Sequence, residues 1–289
     1  VVYLVISLTI SLIKRKFKVW LSNLVLLVSL LLFLFVAGWG LNHYAPPLGS
    51  KIGLEPREYS KEELYAATEY YMNKAAESAL LLPCEEDGTS AVSSFDELSA
   101  AAGDGYAALL SEGYSVFDGS TARVKKLSFA TLFSYTGTTG IFINITGEAN
   151  VNPDTYKVSI PFTMCHEIAH RMGFAAEDEA NFCGFLACRA NKNPEFQYSG
   201  YYSAFIYCLN SLYEADPNAA TELWSRAPER LLNDARAASA HYRRYEGRLQ
   251  DAAQAVNDGY LKSFGEELGV RSYGAVTDYL IAWQLKQTR

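Results

Sequence analysis

Residues 19–41, VWLSNLVLLVSLLLFLFVAGWGL, carry no charged side chain. A bilayer core about 30 Å thick is crossed by roughly 20 apolar helical residues, so this run is long enough to span. Residues 1–13 are also uncharged but too short to cross. The chain opens on Val, and the expectation is that it starts inside a truncated first spanning helix, so that residues 1–44 form a transmembrane helical hairpin. Between the two runs lies Lys14-Arg15-Lys16-Phe17-Lys18. Four basic residues in a short loop place it in the cytoplasm by the positive-inside rule. The second helix then runs outward, and residues 45–289 are expected to lie outside the cytoplasm in a multi-pass protein held by the lipid bilayer. Trp20, Trp39 and Tyr44 suit the aromatic belts of the two interfaces. A cleaved signal peptide fits less well, because the apolar core is long and no small-residue cleavage motif follows Trp39.

With 25 Lys+Arg against 32 Asp+Glu the net charge is −7. No basic stripe follows the membrane segment, so nucleic acid is not an expected partner. Five cysteines without a CxxC pair offer neither a disulfide framework nor a thiolate zinc site. Cys165, Cys183, Cys188 and Cys208 fall in apolar helical stretches and are expected to pack as small hydrophobes.

Ser60 and Glu63 form a capping-box pattern ahead of a helix reaching Leu82, with Leu64, Thr68, Tyr71 and Ala75 on one face. A second helix is expected over 93–111, opened by Ser94 and Glu97. Residues 84–90 read as a loop, and 124–133 are ambiguous. Residues 139–145 (TGIFINI) are β-branched and carry a glycine near their start, which predicts a short strand. Asn150, Asn152, Pro153 and Asp154 predict a loop over 147–156. From Pro161 onward the period is helical almost throughout. The soluble part is thus expected as one mainly α domain with a small β-sheet.

His166-Glu167-Ile168-Ala169-His170 is an H-E-x-x-H sequence, and the chain has only four histidines. On a helix, positions i and i+4 project from one face, so both imidazoles can reach one ion. A catalytic zinc site uses three protein ligands and leaves one position open. Glu167 is placed to take a proton from water as general base. Ile168, Ala169, Met172 and Phe174 make the segment read as buried. The remaining pair, His43 and His241, are read as an interfacial residue and an exposed one.

A third ligand is needed. Gly173 is expected to end the first helix, and a second opens near Ala176. Three acids compete there. Glu179 shares a face with Phe182, Cys183 and Leu186 and reads as pointing inward. Glu177 lies with Asn181 and Gly184 and reads as facing solvent or the helix start. Asp178 is intermediate, and also suits the helix dipole.

His166 to His170 followed by Glu179-Ala180-Asn181-Phe182 resembles the gluzincin arrangement, H-E-x-x-H with a Glu on the next helix. The chain is most similar to an uncharacterised bacterial family of membrane-anchored zincin-like proteins, a domain of unknown function. The similarity runs from the apolar N-terminus through residues 53–57 (GLEPR), 146–152 (TGEANVN), Pro161-Phe162, 197–201 (QYSGY) and 269–274 (GVRSYG). It implies a zincin-like α+β fold in a bacterial cell membrane, zinc as cofactor, and Glu179 as third ligand. Gluzincins often carry an Asp four residues after that Glu; here the position is Cys183, and Asn181 is a candidate supporting residue instead.

The strand beginning at Gly140 resembles the edge strand that zincins lay beside the active-site helix, where an extended peptide could pair. Gly140, Phe142, Glu148 and Asn150 are therefore candidate substrate-binding residues. Tyr201 and Tyr273, in Ser-Gly-Tyr and Ser-Tyr-Gly segments, are candidate donors to a developing oxyanion. The expected function is a membrane-anchored zinc metallopeptidase acting on a peptide or protein substrate. A zinc-binding envelope sensor or scaffold without turnover is the alternative.

Overall fold

A computed structural model describes residues 2–263 and 273–288. Helix α1 (Val2–Ile13) packs on α2 (Phe17–Gly38), and Trp20 Nε1 donates to Ser7 Oγ at 3.0 Å. Among the described residues α2 is the one helix long and apolar enough to cross a membrane; its mean hydropathy is 2.6. None of its residues is buried. Helix α1 has 12 described residues, fewer than a bilayer crossing needs, and lies against α2 across the basic turn. A short 3-10 turn and α3 (Leu48–Ile52) lead into the core, where Leu48 is fully buried.

Helix α4 (Lys61–Ala79) opens with the expected capping box between Ser60 and Glu63, and buries Leu64, Thr68, Tyr71 and Ala75. The single helix expected over 93–111 is two: α5 (Phe95–Ala101), capped by Ser94 and Glu97, and α6 (Asp104–Ser111). The break lets α6 turn against α9 (Glu177–Ala190), where a Cβ on Gly105 would lie 2.0 Å from the carbonyl of Ala187.

Residues 124–151 build a three-stranded sheet. Strand β1 (Lys125–Lys126) runs parallel to β3 (Glu148–Val151), and β2 (Gly140–Ile143) runs antiparallel to β3, giving the order β1-β3-β2. The short α7 (Ala130–Ser134) connects β1 to β2. Strand β3 corrects the first part of the expected loop over 147–156, while residues 152–156 form no strand or helix. Asn150 in the strand donates Nδ2 to the Glu148 carbonyl at 3.0 Å, and Asn152 just beyond it donates Nδ2 across to the Thr138 carbonyl at 3.1 Å. A turn-favouring Asn150 is thus satisfied inside a sheet.

Helix α8 (Ile160–Arg171) packs on β3, β2 and α9. Gly173 ends it at φ 95°, with its N–H on the His170 carbonyl and that of Phe174 on the Ala169 carbonyl. Helix α9 is central. Every residue from Ala180 to Cys188 is buried, and α6, α8, α10 (Pro194–Ala215) and α14 (Tyr273–Gln287) surround it. Helices α11 (Pro217–Ser225), α12 (Glu229–Arg243) and α13 (Arg248–Ser263) complete the chain. The four apolar-stretch cysteines are buried and unpaired, as expected.

Asp234 of α12 is fully buried. It accepts from Ser90 N at 3.0 Å, Ser90 Oγ at 2.7 Å, Tyr156 Oη at 3.0 Å and Tyr198 Oη at 2.5 Å. Those donors offset the cost of burying a carboxylate and tie α12 and α10 to the turns before α5 and α8.

Candidate metal centre and cleft

His166 and His170 sit one turn apart on the buried face of α8, their rings 4.6 Å apart and nearly perpendicular. The acid that meets them is Glu177, the first residue of α9. Its Oε2 is 3.3 Å from His166 Nε2, and its Oε1 is 3.6 Å from His170 Nε2. One donor atom from each residue lies within 4.8 Å of the other two. Ligands of a tetrahedral zinc with bonds of about 2.0–2.1 Å stand roughly 3.4 Å apart, so the set fits one ion. His170 Nδ1 lies 2.7 Å from the Phe174 carbonyl. A carbonyl only accepts, so that nitrogen carries hydrogen and Nε2 faces the cluster, as a metal ligand requires.

The expected ligand Glu179 goes elsewhere. Its Oε1 accepts from the Leu48 N–H at 2.6 Å and lies 3.4 Å from Tyr279 Oη. It does point inward, but toward α3 and α14. Burial phase misleads because α9 is enclosed on nearly every side, so an inward direction does not say which neighbour is met. The side that meets α8 is that of Glu177, Asn181 and Gly184: a Cβ on Gly184 would lie 3.2 Å from His166 N. A glycine within an otherwise helical pattern was the available signal, since it marks a close backbone approach.

Glu167 is 3 % exposed and its Oε2 has no hydrogen-bond partner; neither has buried His166 Nδ1. A buried carboxylate oxygen and ring nitrogen left this way suit a site that receives a ligand and water. Burial pushes the Glu167 pKa up, against the pull of both histidines. Burial opposes charge on Glu177 too, but the histidines outweigh it and hold its carboxyl well below the usual range. Burial likewise works against a charged His170, and Glu177, with smaller help from Glu167 and the Phe174 carbonyl, overcomes it and raises the pKa to about 9. Two acids thus hold positive charge between them, and a cation competes there with a proton.

The cluster opens into a cleft of about 1020 Å³. Gly140 stands against Glu167, for a Cβ there would lie 2.3 Å from Glu167 Oε1. Gly140 and Phe142 both line the cleft, on the free edge of the sheet. Glu148 and Asn150 do not line it. Glu148 pairs with Lys125, and Asn150 is 6 % exposed on the middle strand. Tyr201 also lies outside, its ring packed on Phe185 at 5.8 Å. Its neighbour Tyr202 lines the cleft, as does Tyr207, which donates to Asn181 Oδ1 at 3.1 Å. Tyr273 begins α14, and its side chain lies outside the described residues, as does most of the 269–274 segment. Cys165 points away from the cluster, with Sγ 3.8 Å from the Ala102 carbonyl. His241 is half-buried rather than exposed, its Nε2 2.5 Å from the Asp154 carbonyl.

One wall was not foreseen. Phe35, in the last turn of α2, and Trp39, which caps it, line the same cleft as His166 and Glu167. The Trp39 ring stands 5.8 Å from that of His170 and 5.1 Å from that of Phe142.

The chain belongs to the family described as Protein of unknown function (DUF3810), whose model matches residues 1–281. No curated protein and no solved structure matches it.

Proposed function

We propose that this member of the family is a membrane-anchored zinc metallopeptidase, with the ion held by His166, His170 and Glu177 and with Glu167 as general base. One observation carries the reading: the Glu167 carboxylate, its Oε2 without a hydrogen-bond partner, lies between the three-donor cluster and the start of a free sheet edge. A structural metal site needs neither a spare acid nor an open cleft.

Zinc, when bound, supplies Lewis-acid polarisation of water and of a peptide carbonyl. The protein does the rest. Glu167 Oε2 takes the proton of the attacking water and returns it to the leaving amine, and the raised pKa makes it a stronger base than a surface glutamate. Strand β2 offers its backbone edge to an extended substrate. Tyr202 and Tyr207, rather than Tyr201, are placed to donate to the developing oxyanion. A histidine-bearing helix beside a sheet edge, with an acid on the following helix, is the arrangement expected of a gluzincin.

The basic loop at 14–18 favours a cytoplasmic position for that turn and an external one for the domain. Packing of Trp39 on His170 supports retention of α2 as an anchor, because removal of the helix would strip one wall from the cleft. Protease added to intact spheroplasts digests the domain under this topology and spares it under the reverse.

The catalytic reading is tested with purified full-length protein in proteoliposomes. About one zinc per chain and cleavage within a diverse peptide library are expected. Glu167→Gln should keep the metal and lose roughly 10²-fold or more in rate. A zinc-loaded protein inert toward the library favours the scaffold alternative.

A further inference from the structure

The cleft is fixed at one end of the membrane helix. A 22-residue helix is about 33 Å long at 1.5 Å per residue, enough to cross a bilayer core. Trp39 follows its last residue, at the level where aromatic side chains meet headgroups. No stalk separates that level from the domain. Gly40 is buried, and Leu48, ten positions after Gly38, is fully buried and held by Glu179. The His170 ring, 5.8 Å from that of Trp39, therefore stands at the headgroup layer. Phe35 carries the cleft wall one turn further along the spanning helix, about 5.4 Å toward the bilayer.

A second observation points the same way. The chain framing the free strand carries large apolar side chains in the open: Phe129 at 79 %, Leu132 at 60 % and Ile145 at 84 % exposure. Water disfavours such a set, whereas the boundary between headgroups and acyl chains accepts it.

We propose that the occupant of this cleft is a peptide segment joined to a membrane-spanning helix in the same bilayer, engaged within a few residues of the surface. The cut itself rests on the peptidase reading above; the placement does not. An extended chain advances at most about 3.3–3.6 Å per residue. A segment emerging beside α2 thus reaches Glu167 within its first several residues and can then lie along β2. A soluble peptide of the same sequence lacks the gain in effective concentration that tethering provides.

The test uses full-length zinc-loaded protein in proteoliposomes, as wild type and as Glu167→Gln. The probes are peptides of randomised sequence attached to an apolar helix of about 20 residues, with one benzoylphenylalanine at stepped distances from the membrane boundary. Untethered copies serve as the comparison. Photocrosslinks to the peptides containing Phe142 or His166 should peak with the label within roughly eight residues of the boundary and fall at least ~10-fold without the helix. Equal crosslinking of tethered and free probes, or none at any spacing, overturns the proposal. Distance-dependent crosslinks without cleavage by the wild type support the placement and remove the peptidase reading. Equal cleavage of both probe types does the reverse.

Discussion

The backbone nitrogen of His166 faces Gly184 so closely that a Cβ there would stand 3.2 Å away. Helices α8 and α9 meet at this point with no side chain between them, and Glu177 is carried to both histidines as a result. Gly184→Leu should weaken zinc binding roughly 10-fold or more without removing a donor, because metal distances tolerate shifts of only about 0.2 Å. Competition with a chromophoric chelator measures it. Unchanged affinity would show that α9 can move without disturbing the ligand set.

The two glutamates near the start of α9 separate cleanly. Glu177→Ala removes one of three donors and should leave the purified protein largely metal-free. Glu179→Ala should keep the metal and cost about 1–3 kcal/mol of stability, since the buried Leu48 N–H loses its acceptor. Elemental analysis with a melting curve on each variant decides; retention of zinc by Glu177→Ala would return the ligand role to another acid.

Gly140 leaves room for the Glu167 carboxylate. An added methyl overlaps Oε1 and drives the carboxylate aside, so Gly140→Ala should retain zinc and lose roughly 10²-fold in turnover. A variant with full activity would mean that Glu167 does not act from the position seen here.

Asp234 is stabilising only with its donors in place. Asp234→Ala strands Tyr156, Tyr198 and Ser90 in the interior and should cost about 3–5 kcal/mol. Denaturant unfolding in detergent reads this directly, and a loss below 1 kcal/mol would refute the stabilising role.

Asp278 of α14 gives a pH dependence. Burial, with Glu58 nearby, pushes its pKa up to about 6 from 3.8. The folded state therefore binds this proton more tightly than the unfolded chain does. That advantage is present at low pH and is lost as pH rises through about 6. Asp278→Asn should then stabilise the protein by about 1 kcal/mol above pH 7, after allowance for solvent screening at a half-buried site, and change little near pH 4. Melting temperatures across pH 4–8 provide the check.

Local chemistry made much of this structure readable beforehand. Ser60 with Glu63, and Ser94 with Glu97, announce helix starts because the two partners satisfy each other's backbone groups within four residues. His166 and His170 announce a ligand pair for the same reason, since one helical turn fixes their relation. The failures at the site and in the sheet concern partners distant in sequence. Strand β3 holds Asn150 and runs into Asn152, Pro153 and Asp154, and pairing with β1 and β2 makes it a strand. Glu179 obeys its burial phase and still finds Leu48 rather than the histidines. Trp39 looks like an interfacial aromatic and is also a wall of the cleft. Composition carries no record of which buried face meets which.

Helix α9 is held where it is by missing side chains. Besides Gly184, a Cβ on Gly105 would overlap the Ala187 carbonyl at 2.0 Å, and one on Gly200 would meet Cys188 Cβ at 2.5 Å. Three neighbouring helices, α6, α8 and α10, thus meet α9 at positions with no room for an added side chain. The geometry of the His166, His170 and Glu177 donors is accordingly brittle toward residues that never touch them. Among relatives, a chain could keep both histidines and the acid, acquire bulk at these three glycines, and lose the meeting of its donors. Such a chain would keep the motif as a relic, and an inventory of ligands alone would count it as intact.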